Sequence, residues 1–211
     1  MPFLKTLFAC LLIAALLSAC AAPQAAAALT DSPCQAPCWQ NITPFVTTED
    51  QVADLLRQIP NIDPATVEEL RPWNRYDKRF VAQFLDDRSK VYVYIIDQYV
   101  ESVLVTDETG LTVEEVITMY GEPSFLVADR IYSQVSVLLF FPKKGVGIVY
   151  SNSDLYSIIV KPEGKVEQIL FTQPENLVKT YYPEETLEEL REKGRAFDWP
   201  GYQEIPFNPK Y

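Results

Sequence analysis

Apolar residues recur at helical spacing in two places along the chain, at Val52, Leu55 and Leu56 and again at Val116, Met119 and Tyr120. Each set follows a threonine with Gln or Glu three positions on, Thr48 with Gln51 and Thr112 with Glu115. That spacing lets the hydroxyl accept from a free backbone N–H while the longer side chain reaches back, so both runs predict capped amphipathic helices. Pro60 and Pro123 end them.

The pattern then changes period. Residues 79–85, 90–96 and 99–106 are dense in β-branched and aromatic side chains and predict strands, with Asp86-Asp87-Arg88-Ser89 as a hairpin turn. After the second helix, residues 135–141, 145–150, 155–160 and 166–171 read the same way, with turns at Pro142-Lys143-Lys144-Gly145 and Lys161-Pro162-Glu163-Gly164. Such short turns join only antiparallel strands. The expected fold class is therefore α+β, as two tandem helix-plus-antiparallel-sheet repeats over 34–106 and 107–174. A C-terminal helix at 183–193 and an extended tail with Phe197, Trp199, Tyr202, Phe207 and Tyr211 complete region 175–211. A tail of this kind is expected to lie across its own domain and cover apolar surface or a sheet edge.

The N-terminus carries a different signal. Lys5 precedes an apolar run from Leu7 to Leu17, followed by Ser18, Ala19 and Cys20, the layout of a signal peptide. The run is well short of the ~20 apolar residues that span a bilayer. Leu17-Ser18-Ala19-Cys20 resembles the lipobox of bacterial lipoproteins. The resemblance implies that residues 1–19 are a signal peptide cut before Cys20, and that Cys20 carries a thioether-linked diacylglycerol. Two acyl chains hold a protein stably at a membrane where one does not. Region 20–33, alanine-rich from Ala21 to Ala28, reads as a flexible linker between lipid and domain.

Cysteine usage follows from that address. Cys10 leaves with the signal peptide and Cys20 is acylated, so Cys34 and Cys38 remain as a pair expected to form a disulfide in an oxidising compartment. Redox-active pairs normally have two intervening residues, not three, and a zinc site needs more ligands than the two cysteines offer.

Charge excludes a partner class. The chain has a net charge of -11, and loss of residues 1–19 removes Lys5 and no acid, leaving -12. Binding to a phosphate backbone requires Lys and Arg clusters, so no nucleic-acid partner is expected. Anionic headgroups are repelled too, which leaves lipid on Cys20 as the membrane contact.

The repeated unit through Leu111-Thr112-Val113-Glu114-Glu115-Val116 and Gly121-Glu122-Pro123 resembles the SmpA/OmlA/BamE outer-membrane assembly lipoproteins and the β-lactamase inhibitor proteins, over about residues 42–171. The resemblance implies an α+β unit, present in tandem in the second family, that binds other envelope or extracellular proteins. Pro37-Cys38-Trp39-Gln40-Asn41-Ile42-Thr43-Pro44 also resembles the start of uncharacterised bacterial lipoproteins, in which glycine commonly follows that last proline. Here Phe45 follows it.

Candidate chemistry is sparse. The chain has no histidine, which removes the commonest general base and metal ligand. No serine sits in a G-x-S-x-G setting. The adjacent acids Asp86-Asp87, Glu114-Glu115 and Glu184-Glu185 fall in a turn or at helix starts, where acids serve solvation and the helix dipole. Ser151-Asn152-Ser153-Asp154 lacks calcium-loop spacing. No catalytic residue, cofactor or metal site is therefore expected, and the sequence points to a non-catalytic protein-binding or envelope-assembly module. The alternative is a histidine-free envelope hydrolase using paired carboxylates. Exposed Tyr, Trp or Phe clustered on one sheet face favour the first, and two carboxylates facing each other about 5 to 9.5 Å apart in a cleft favour the second.

Overall fold

The short turns build two three-stranded meanders. β2 (Lys78–Gln83), β3 (Ser89–Ile96) and β4 (Tyr99–Asp107) form the first. β5 (Phe125–Ile131), β6 (Gln134–Phe141) and β7 (Val146–Asn152) form the second. The structure is a computed structural model that describes residues 24–71, 75–107, 109–131, 134–152, 154 and 156–209.

One strand joins the meanders. β9 (Gln168–Thr172) runs between β4 and β7 and pairs antiparallel with both, Ile169 lying opposite Val105 on one side and Ile148 on the other. With β1 (Glu68–Leu70) and β10 (Ala196–Asp198) at the edges, a single nine-stranded sheet results, in the order β1-β2-β3-β4-β9-β7-β6-β5-β10. This overturns the expectation of two tandem helix-plus-antiparallel-sheet repeats. Left as separate units, β4 and β7 would each expose an edge of unpaired N–H and C=O groups, and β9 satisfies both. The two segments also differ in strand order. In the first, a 3-10 turn at Pro64–Thr66 and β1 separate helix from meander, whereas β8 (Ser157–Ile159) of the second leaves the main sheet to pair with β11 (Glu204–Pro206).

What the segments do share is local capping. In α2 (Glu49–Gln58) the Gln51 side chain accepts from the Thr48 N–H at 3.1 Å. In α3 (Val113–Tyr120) Glu115 accepts from the Thr112 N–H at 2.7 Å and the Thr112 hydroxyl accepts from the Glu115 N–H at 3.3 Å. Both helices bury their apolar stripes, Val52 with Leu56 and Val113 with Val116, in the core on one face of the sheet, here called the front.

The front core includes a piece expected to be a leash. Gln24–Thr30 forms helix α1, with Ala25, Ala28 and Leu29 at most 3 % exposed. Alanine is the best helix former, and its small side chain allows close approach to the body, where Gln40 Nε2 donates to the Ala28 carbonyl at 2.8 Å. Cys34 and Cys38 are bonded to each other just beyond, with Cα atoms 5.7 Å apart, ahead of the fully buried Trp39, which stacks on Phe171. Phe45 adopts a φ of +59°, in the left-handed region that favours glycine.

At the C-terminus the expected helix over 183–193 is shorter and starts later. Pro183 to Glu185 precede a third capping box, in which the Thr186 hydroxyl accepts from the Glu189 N–H at 3.2 Å, and α5 runs Leu187–Glu192. The tail returns over its own domain: β10 pairs with β5, β11 with β8, and Phe207 is 2 % exposed.

Candidate functional site

Strand alternation divides the sheet into two faces. Phe80, Ala82, Val91, Val93, Val103 and Val105 point to the front core. The residues between them point to the back. On the β5–β7 side the back face holds Phe125, Val127, Leu138, Phe140 and Val149, and α4 (Leu177–Tyr181) and α5 close over it with Leu177, Tyr182 and Leu190. On the β2–β4 side the same face carries Arg79, Lys90, Tyr92, Tyr94, Ser102 and Leu104 in place of a second apolar layer.

The tyrosines form a ladder. Tyr94 lies 4.5 Å from Tyr76 and 6.4 Å from Tyr92, centroid to centroid. Arg75 stacks over Tyr76 and Arg79 over Tyr92, at 5.2 and 5.4 Å. Beneath them the register slips between Tyr94 and Ile95, which makes Glu101 the extra residue of a β-bulge. Glu101 is 5 % exposed, and its carboxylate accepts from Arg75 at 2.6 Å and from the Ser102 hydroxyl at 3.3 Å. Burial holds its carboxyl above the ordinary carboxylate range, and the Arg75 guanidinium offsets only part of that.

A cleft of about 670 Å³ lies between this ladder and α4. Its floor is Tyr94, Ser102, Leu104 and Leu170, and its far wall is Thr180, Tyr181, Pro183 and Glu184. Tyr181 sets that wall. Its ring meets Phe140 edge-on at 5.6 Å and lies so close over Gly147 that a Cβ there would stand 2.8 Å from the ring. Its hydroxyl is shielded from solvent and makes no hydrogen bond among the described residues, and burial pushes its pKa up.

The covered half is fastened by ion pairs. Arg195 binds Asp129 at 2.5 Å and Glu185 at 2.8 Å, Lys193 binds Glu185 at 2.5 Å, and Tyr182 donates to Asp129 at 2.6 Å. Lys193 and Arg195 hold Glu185 below the ordinary carboxylate range.

The residues singled out in the sequence are scattered relative to the cleft. Cys20 and the signal segment lie outside the described residues. The Cys34–Cys38 bond lies with Trp39 on the front, across the sheet from the tyrosines. Asp86-Asp87 occupy the β2–β3 turn, and Glu114-Glu115 the first turn of α3. Asp154 accepts from the backbone N–H groups of Tyr156 and Ser157, a local turn. Of the adjacent acids only Glu184 reaches the cleft. Sequence reasoning missed Glu101 and Tyr181. The signal for Glu101 was an acid in the otherwise apolar strand Tyr99-Val100-Glu101-Ser102-Val103, where a charge must be paired or a register broken.

Among the described residues no three or more His, Cys, Asp or Glu gather as a metal cage, and no helix is long and apolar enough to cross a membrane. No protein-family model matches the chain, and no curated protein matches it. A solved structure of a DUF4309 family protein, YjgB from Bacillus subtilis, aligns over 64% of this chain and 84% of its own at 10% identity with a TM-score of 0.38. That score is too low to define a shared fold.

Proposed function

We propose that this chain is an exported lipoprotein, tethered to the bacterial cell membrane through lipid on Cys20, and that it acts as a non-catalytic module binding an envelope or extracellular protein on the open half of its back face. The observation that carries the reading is the ladder of Tyr76, Tyr92 and Tyr94 with Arg75 and Arg79, next to a cleft of about 670 Å³. Tyrosine and arginine dominate the energetics of protein interfaces, because they supply large rigid contact area and planar hydrogen bonding. The chemistry of the cleft supports binding over hydrolysis: Glu101 is committed to Arg75 and Ser102, which leaves Glu184 as the one acid on the cleft lining without an ion pair among the described residues.

Two measurements test this. A photo-crosslinking residue placed at Lys90 in the full-length chain in intact cells is expected to capture one envelope protein, with the adduct lost in Arg79→Glu and absent when the label sits at Glu122. Equal capture from both positions would overturn the surface. Metabolic labelling with a fatty acid is expected to mark the chain and to miss Cys20→Ala; an unmarked wild type would overturn the anchor.

A further inference from the structure

Helix α1 shortens the tether. Only residues 21–23 separate Cys20 from α1, so whatever path they take, the Cα atoms of Cys20 and Gln24 stand at most about 14 Å apart. The far end of that span is fixed to the body. Ala28 and Leu29 are 2 % and 3 % exposed, and Gln40 grips the segment twice, its Nε2 donating to the Ala28 carbonyl at 2.8 Å and its N–H to the Ser32 hydroxyl at 3.0 Å. Leu29 and Thr30 line a cavity with Trp39, Tyr120 and Phe171, and Phe171 stands on β9, the middle strand of the nine. A helix of seven residues does not persist alone in water, so α1 is helical because it is docked.

We propose that docked α1 holds the body with its front toward the lipid surface and keeps the tyrosine ladder turned away from it, so that a protein partner reaches the ladder from the aqueous side. This rests on the Cys20 anchor of the reading above and adds the orientation in which the module is presented. The lengths decide it. A layer of helices stands about 10 Å from the sheet it covers and a layer on the other face about as far again, which puts α1 and the outer back surface roughly 20 Å apart. Either edge of the sheet is four strands from β9, or about 19 Å at about 4.8 Å per strand. A span of about 14 Å covers neither distance, so the ladder cannot be brought to the bilayer while α1 is docked. Undocking would leave Ser32 as the first held residue, twelve positions from Cys20 and about 40 Å of reach, enough to let any face turn inward. The body's net negative charge gives it no attraction of its own for anionic headgroups, so the tether alone sets the orientation.

The test uses the full-length chain purified in its acylated form and reconstituted into vesicles of phosphatidylethanolamine and phosphatidylglycerol that carry nitroxide-labelled headgroups. A fluorescent amino acid is placed at Ala27, the partly exposed residue of α1, or at Lys90 on the back face. Headgroup quenching is expected to be at least about threefold stronger at Ala27. A Gly-Ser segment of about 20 residues inserted between residues 23 and 24, with a span of about 25 Å, leaves the body untouched and is expected to bring the ratio toward one. Ala28→Asp, which sets a charge against the body, is expected to do the same by undocking α1. Equal quenching at the two positions of the wild type, stronger quenching at Lys90, or a ratio that the insertion leaves unchanged would each overturn the proposal. An acylated chain that floats with the vesicles and is quenched equally at both positions would remove the orientation and leave the anchor standing. A chain that takes up no fatty acid and does not float would remove both.

Discussion

The two halves of the back face lie on one sheet but are finished differently. Over β5–β7, Phe140 is fully buried between Phe125 and Tyr181, and Arg195 ties α5 and β10 down to Asp129. Over β2–β4, tyrosines and arginines occupy the equivalent positions, and a buried acid, Glu101, sits in a bulge under Arg75. The covered half spends its surface on stability, while the open half buries Tyr94 and keeps Tyr76, Arg79 and Tyr92 partly exposed where a partner can reach them.

The largest expected difference is therefore in what truncation costs on each side. Phe140→Ala removes a ring with no exposure and leaves a cavity between Phe125 and Tyr181, for an expected loss of about 4 kcal/mol. Tyr92→Ala on the open half removes a half-buried ring and is expected to lose only about 1 kcal/mol. Urea denaturation of both variants decides it, and similar losses would mean that the open half is structural as well.

Next in size is the clamp. Arg195 is 16 % exposed at its side chain and holds two carboxylates, so Arg195→Ala leaves Asp129 only the Tyr182 hydroxyl and Glu185 only Lys193, for an expected loss of about 2 kcal/mol. Hydrogen exchange is expected to quicken in α5 and β10 and to stay unchanged in β2 and β3. Faster exchange in both halves would show that they open as one unit.

Capping chemistry explains which of these features the sequence made visible. Thr48 and Thr112 each announce a helix through contacts within a few residues, whereas starting the last helix at Pro183 overlooks the equivalent box at Thr186 and begins it too early. The β-branched runs of β2, β3, β4, β6 and β7 announce strands in the same local way. The repetition of one capping box suggested a repeated domain, but a cap carries no information about which strand lies beside which. That was decided by β9, whose pairing with both β4 and β7 depends on residues far apart in the chain. β5 escaped because its first four residues are buried on both faces and do not alternate. The cleft was illegible for a related reason: Tyr94, Leu170 and Tyr181 come together only through the strand order.

The smallest effect separates the halves by sign. Glu101, raised mainly by burial, binds its proton more tightly in the folded chain than in the unfolded one. Its contribution is then full below the ordinary carboxylate range and is lost as pH rises through its elevated value. Glu185, depressed first by its hydrogen bond to Lys193 and then by Arg195, behaves oppositely. Its contribution is full above the ordinary range and is lost as pH falls. Relative to wild type, Glu101→Gln is expected to gain stability between about pH 4 and about pH 7, and Glu185→Gln to lose it, each by about 1 kcal/mol or less. Urea midpoints at the two pH values measure both. If the two variants shift in the same direction, Glu101 is stabilised by Arg75 more than it is penalised by burial, and the bulge belongs with the clamp as a fastening of the fold.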